Sequence, residues 1–177
     1  LLNPDGSAFN SYQQRQIEEM ILNDSLGVAP WEEIKGSGIQ NGVIKQHIER
    51  ILQDFQAELK LKVVVDCGCG AASVVTPYLL RKLGCEVVEI NCYPSGFFPR
   101  GIEPTESNLQ DLMKATREFG ADLGIAHDGD GDRMMAVDDK GRFISGDKML
   151  AIFAQALQAK EVVTTIDASM AIDEMGL

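Results

Sequence analysis

A short unbroken run of β-branched residues, Val63-Val64-Val65, constrains this chain more than any other feature. It lacks the polar alternation of a half-exposed strand, so it fits a strand covered on both faces. The residues downstream repeat the theme. Residues 73–83 read as a helix and 85–90 as a second strand. Residues 105–119 read as a second helix of this series, with Thr105 as its cap and Glu106 and Asp111 in its early turns. Gly120 ends that helix. Leu123-Gly124-Ile125-Ala126 reads as a third strand and 134–137 as a fourth, closed by a turn at Asp138-Asp139-Lys140-Gly141. Strands alternating with helices predict a three-layer α/β/α sandwich with a mostly parallel sheet. The link between strands three and four is too short for a parallel crossover, so strand four is the one antiparallel strand.

The flanks read differently. Residues 1–24 read as a turn, Asn3-Pro4-Asp5-Gly6, then a short helix capped by Ser11 with Ile17, Met20 and Ile21 as its apolar stripe. Residues 25–41 are Gly-rich, include Trp31, the only tryptophan, and read as a linker. A helix over 42–57 places Val43, Ile44, His47, Ile48, Ile51, Leu52 and Phe55 on one face, with His47 read as a packed or partly exposed helix residue rather than a ligand. After Gly146 the pattern restarts, with a helix over 147–159 and a strand over 161–166. One helix and one strand bury no core alone, so 146–177 reads as the start of another domain. The chain begins with Leu1, inside a turn, which leads us to expect a piece of a longer protein.

Charge narrows the function. Acidic residues outnumber basic ones, 27 to 16, for a formal charge of -11. Nucleic-acid binders usually carry a basic surface, so that class is disfavoured. Anionic substrates stay open, because a metal or a local arginine inverts the field at a site. No apolar run is long enough to span a bilayer. Cys67, Cys69, Cys85 and Cys92 lack the spacing of a zinc ribbon or a redox pair, and read as reduced thiols of a cytoplasmic protein.

The chemistry concentrates in His127-Asp128-Gly129-Asp130-Gly131-Asp132-Arg133. Three carboxylates at alternate positions repel one another unless a cation neutralises them. Glycines between them let the backbone curl. Oxygen ligands without thiolate favour Mg²⁺, Mn²⁺ or Ca²⁺ over zinc. Arg133 offers a planar fork suited to phosphate. Asp128, Asp130 and Asp132 are therefore the candidate metal ligands and Arg133 the candidate phosphate-binding residue. An EF-hand is rejected, because its sixth position needs glycine and holds Arg133, and the flanks are strands. His127 reads as a packing or supporting residue. Arg100 reads either as a phosphate contact or as a solvated loop charge.

The stretch Gly124 to Arg133, GIAHDGDGDR, resembles the metal-binding loop of the α-D-phosphohexomutases. Asp66 to Ala72, DCGCGAA, is similar to that family's first glycine turn, with Cys69 where the family usually has Asn. Phe98-Pro99-Arg100 and Glu103-Pro104-Thr105 resemble its loop before the second helix, and Gly146-Asp147-Lys148 with Val163 to Asp167 its third-domain start. The resemblance implies Mg²⁺ held by Asp128, Asp130 and Asp132. It implies interconversion of hexose 1-phosphate and 6-phosphate through a phosphoserine and a hexose 1,6-bisphosphate. The sugar would be glucose, mannose or glucosamine, with a tilt toward phosphoglucosamine because no Lys stands near Asp167. It assigns 1–24 to the end of domain 1, 25–41 to a linker, 42–145 to metal-binding domain 2 and 146–177 to an incomplete domain 3. The phosphoserine loop would lie outside this chain, which alone is expected to be inactive. Incomplete domains could also promote self-association.

Two other classes compete. Val63 to Gly70 is similar to the glycine motif of S-adenosylmethionine-dependent enzymes, although strand two ends in Asn91 rather than an acid. A noncatalytic cation-binding α/β module is the third reading.

Overall fold

The computed structural model describes residues 1–175 apart from 26, 56, 167 and 171. Asp167 therefore lies outside the described residues. The chain divides into two compact units, Leu1–Asn41 and Gly42–Leu177.

The first unit holds one α-helix, α1 (Ser11–Leu22). Its cap is Asn10, not Ser11. The Asn10 side chain accepts from the Gln13 N–H, and the Gln13 side chain accepts from the Asn10 N–H, each at 3.0 Å. This reciprocal box satisfies two donors that a helix start otherwise leaves open. None of the α1 residues is buried; of its apolar stripe Ile17 is half-buried, and Met20 and Ile21 are exposed. The preceding turn forms as expected, with the Gly6 N–H on the Asn3 carbonyl.

The second unit begins with α2 (Val43–Asp54). Only Ile48 on it is buried, and His47 is exposed. The sheet follows: β1 (Lys62–Asp66), α3 (Thr76–Lys82), β2 (Glu86–Ile90), α4 (Gln110–Glu118), β3 (Leu123–His127), β4 (Met134–Asp138) and β5 (Phe143–Ile144). The strand order is β2-β1-β3-β4-β5. β1 pairs in parallel with β2 and β3, and β4 runs antiparallel to both β3 and β5. Only β4 opposes the common direction, as the short β3–β4 link requires. β5 was not expected; two residues give no readable alternation.

Val63-Val64-Val65 explains the layering. Val64 points into a cluster with Leu109, Leu112, Ala126 and Val137, under α4. Val63 and Val65 point the other way, into a cluster with Cys67, Ala72 and Cys85 that Leu80 of α3 joins. All three valines are almost fully buried. Helices on both faces make this an α/β/α sandwich, and burying each valine contributes roughly 1.5–3 kcal/mol. Gly124 lets α4 sit close: a Cβ there would collide with Thr116 Oγ1 and lie 3.0 Å from Val137 Cβ.

The helices are shorter than their apolar patterns. The one expected over 73–83 breaks into a 3-10 turn, Ala71–Val74, and α3, because Pro77 lacks an N–H and favours a helix start. The one expected over 105–119 opens with a 3-10 turn at Glu106–Asn108. Thr105 caps nothing there; its hydroxyl meets the Ser107 hydroxyl at 3.1 Å.

Ser145 caps α5 (Gly146–Ala156). The strand expected over 161–166 does not form. Val163 and Ile166 are fully exposed, and no described segment pairs with this stretch. An isolated strand leaves its N–H and C=O groups without a ladder, so apolar residues alone do not establish one. Among the described residues, no helix is long and apolar enough to cross a membrane.

Candidate metal site

Two loops meet beyond the carboxyl ends of β1 and β3, the edge where open α/β sheets gather ligands. The first turns at Asp66-Cys67-Gly68-Cys69-Gly70; the second is the aspartate loop. They dock through backbone. The Ala71 N–H donates to the Gly129 carbonyl at 2.9 Å. A Cβ on Gly70 would overlap that same carbonyl oxygen and lie 3.0 Å from its carbon. Gly68 lies under the Arg100 guanidinium, 3.1 Å from Nη2 to where a Cβ would be. These glycines make room for the chain's own atoms, which removes the ground for reading them as an S-adenosylmethionine cradle. Asn91 is likewise engaged, donating through Nδ2 to Asp66 at 3.2 Å.

The aspartate loop brings its three acids together. One carboxylate oxygen from each of Asp128, Asp130 and Asp132 lies within 4.8 Å of the others. Asp128 is buried, whereas Asp130 and Asp132 are exposed. Gly131, at φ +81°, supplies the reversal that returns Asp132 toward Asp128. Asp128 Oδ1 accepts from the N–H groups of Gly131 and Arg133, both at 3.1 Å. Burial alone would raise the Asp128 carboxyl. The N–H of Arg133 and a hydrogen bond shared with Asp132 outweigh it, so the group lies below its ordinary value. Asp132 moves oppositely: the bond shared with Asp128, then the charge of Asp130, raises it. Carboxylates gathered this closely repel one another and so offer a seat to a cation.

His127 supports this loop. Its Nδ1 is 3.1 Å from the Arg133 carbonyl and its Nε2 is 3.0 Å from Thr76 Oγ1. A carbonyl only accepts, so Nδ1 carries the proton and Thr76 donates to Nε2. Burial lowers the His127 pKa, consistent with a neutral ring.

Arg133 does not point free into solvent. Its Nη1 pairs with the Glu103 carboxylate, while Nε lies 3.9 Å from Asp128 and 3.8 Å from Asp132. Arg100 is neither a free phosphate contact nor a solvated charge. Its side chain is 9% exposed and its Nε donates to Asp66 Oδ2 at 2.9 Å. Nη2 donates to the His127 carbonyl at 2.6 Å, and Nη1 to the Gly101 carbonyl at 3.0 Å. One side chain thus ties β1, the 91–105 loop and the start of the aspartate loop. Sequence reasoning missed this pin; a buried-strand Asp awaiting a distant cation was its only trace.

Cys69 sits at φ +59°, with its N–H on the Asn91 carbonyl at 2.6 Å. L-residues other than Asn, Asp and Gly resist this conformation at a cost of about 1–2 kcal/mol. Cys69→Asn is therefore expected to stabilise the protein by about 1 kcal/mol, measured as a raised midpoint in urea unfolding. All four cysteines are free.

A mixed five-stranded sheet flanked by helices, carrying an acidic loop at the carboxyl end of β3, defines an α/β domain with a candidate site for a hard cation. The phosphoglucomutase/phosphomannomutase α/β/α domain II profile matches residues 43–141, and the chain belongs to that family. A Methanococcoides burtonii protein named "probable phosphoglucosamine mutase" is 49% identical over 98% of this chain and 41% of its own length. A Methanocella arvoryzae protein of the same name is 51% identical over 97% of this chain and 39% of its own. A solved Burkholderia thailandensis structure, a phosphoglucomutase/phosphomannomutase family protein, superposes with a TM-score of 0.76 at 30% identity, covering 97% of this chain and 38% of that one. The chain spans about two fifths of the length of the curated relatives it matches.

Proposed function

We propose that this chain is the metal-binding part of a phosphohexomutase, which interconverts hexose 1- and 6-phosphates through a phosphoserine and a hexose 1,6-bisphosphate. The observation that carries this reading is the convergence of Asp128, Asp130 and Asp132 at the carboxyl end of β3, with Arg133 beside them. The donor set fits a hard dication: carboxylate oxygens only, within 4.8 Å of one another, one of them fixed by two backbone N–H groups. Mg²⁺ is the ion proposed.

The chain's residues have distinct tasks. Asp128, its Oδ1 fixed by two backbone N–H groups, would hold the metal together with Asp130 and Asp132. Bound there, Mg²⁺ would neutralise charge on a transferring phosphoryl group, the main demand of such a transfer. Arg133 would hold phosphate oxygens alongside. His127 keeps the Arg133 backbone in register through its Nδ1 proton. The sugar is proposed to be glucosamine phosphate, on the strength of two relatives with that name at 49% and 51% identity. Residues 42–145 are proposed as domain 2, 1–24 as the end of domain 1, 25–41 as the linker and 146–177 as the start of domain 3.

Calorimetry tests the metal. The chain is expected to bind Mg²⁺ weakly by itself, since a substrate or phosphoserine oxygen is missing from the shell. Asp130→Ala should weaken binding roughly tenfold or more, the loss that even outer-shell partners of a metal site cause. Unchanged binding in that variant contradicts the ligand assignment.

A further inference from the structure

Glu103 presents a carboxylate to the one arginine that the proposed chemistry reserves for phosphate. Arg133 is held at its backbone on both sides. Its N–H donates to Asp128 and its carbonyl accepts from His127, each at 3.1 Å. Only its side chain is left to move. Glu103 is held in the same manner. Its carbonyl accepts from Asn108 Nδ2 and from the Thr105 N–H, both at 2.9 Å, and the next residue, Pro104, is buried. The loop that bears Glu103 is also pinned by Arg100 through the Gly101 carbonyl. It therefore does not depend on the Glu103–Arg133 pair for its shape.

The pair itself is exposed, at 57% for the Arg133 side chain and 55% for Glu103. Exposed ion pairs are weakly held and exchange readily. Charge gives the direction of exchange. Three aspartates are balanced by a divalent cation and Arg133. Glu103 then leaves the rim negative, which repels a phosphate dianion. Phosphate offers Arg133 more charge and a second oxygen for its fork than one carboxylate oxygen does.

Resting on the phosphohexomutase reading, we propose that Glu103 is a stand-in for phosphate. It holds the Arg133 guanidinium while the site lacks phosphate and is displaced when phosphate arrives. Glu103 thereby sets how tightly the site takes phosphate, acting through Arg133.

Inorganic phosphate serves as the probe, titrated into the chain at saturating Mg²⁺ and followed by phosphorus NMR and by the Arg133 Nε–H resonance. Glu103→Gln is expected to tighten phosphate binding a few-fold, about fivefold at most, the range of an exposed pair. In an Arg133→Gln background the same change should have no effect. Both side chains are more than half exposed, so these variants keep the fold. Unchanged or weaker phosphate binding in Glu103→Gln overturns the proposal. So does an equal gain without Arg133, which would mark a general relief of negative charge. A chain that binds no Mg²⁺ at all fails the underlying reading instead, before Glu103 is reached.

Discussion

Arg100→Ala is expected to destabilise the α/β unit by about 3–5 kcal/mol, the usual result of stripping one partner from a buried ion pair. Asp66 is 1% exposed and would be left with no cation beside it. Its Oδ1 retains the Gly68 N–H at 2.8 Å and Asn91 Nδ2 at 3.2 Å, but Oδ2 loses its partner. The His127 carbonyl loses a donor at the same moment. A domain of this kind is stable by only about 5–15 kcal/mol, so the loss is a large fraction. Thermal or urea unfolding measures it. Asp66→Asn on top of Arg100→Ala should recover part of the loss, because it discharges the stranded carboxylate. An Arg100→Ala variant as stable as the parent would mean that the pair is solvated and pins nothing.

Gly70→Ala is expected to weaken divalent-cation binding at least about tenfold while leaving the protein folded. Gly70 lies at φ −93°, where any residue fits, so the requirement is space alone. The added methyl meets backbone, the Gly129 carbonyl, rather than a side chain that could swing away. The aspartate loop must lift, and the Ala71 to Gly129 hydrogen bond must lengthen. Overpacking of this sort costs about 1–3 kcal/mol. Mg²⁺ affinity should drop by at least roughly tenfold, because shifts in the residues behind a metal site already have effects of that size. Parallel melting curves and Mg²⁺ titrations separate the two effects. Wild-type Mg²⁺ affinity in Gly70→Ala would show that loop docking and ligand geometry are independent.

Much of the site was legible because it is local. Three aspartates spaced by glycines report their own convergence, and a β-branched triplet reports its burial on both faces. The sign of the β3–β4 pairing came from loop length alone. The features that escaped were mostly long-range or resolved by competition. Arg100 and Asp66 stand 34 positions apart in the chain, and no spacing rule links them. Glu103 looked like part of a helix approach, since nothing near it in sequence names Arg133. Asn10 displaced Ser11 as the α1 cap because Gln13 completes the reciprocal box with Asn10. The stretch at 161–166 shows the opposite error: apolar pattern was present, but no described segment pairs with it to make a strand.

Asp128, Asp130 and Asp132 are proposed to hold one hard dication together, and every functional role above depends on it. Crystals of the chain soaked in Mn²⁺, which takes the oxygen ligands of Mg²⁺ and scatters anomalously, test it most directly. The expected result is a single anomalous peak within about 2.0–2.4 Å of an oxygen from each of the three aspartates, at distances typical of hard oxygen-bound cations, and no such peak in Asp130→Ala. A peak that involves fewer than three of these aspartates, or one that survives in Asp130→Ala, would contradict it.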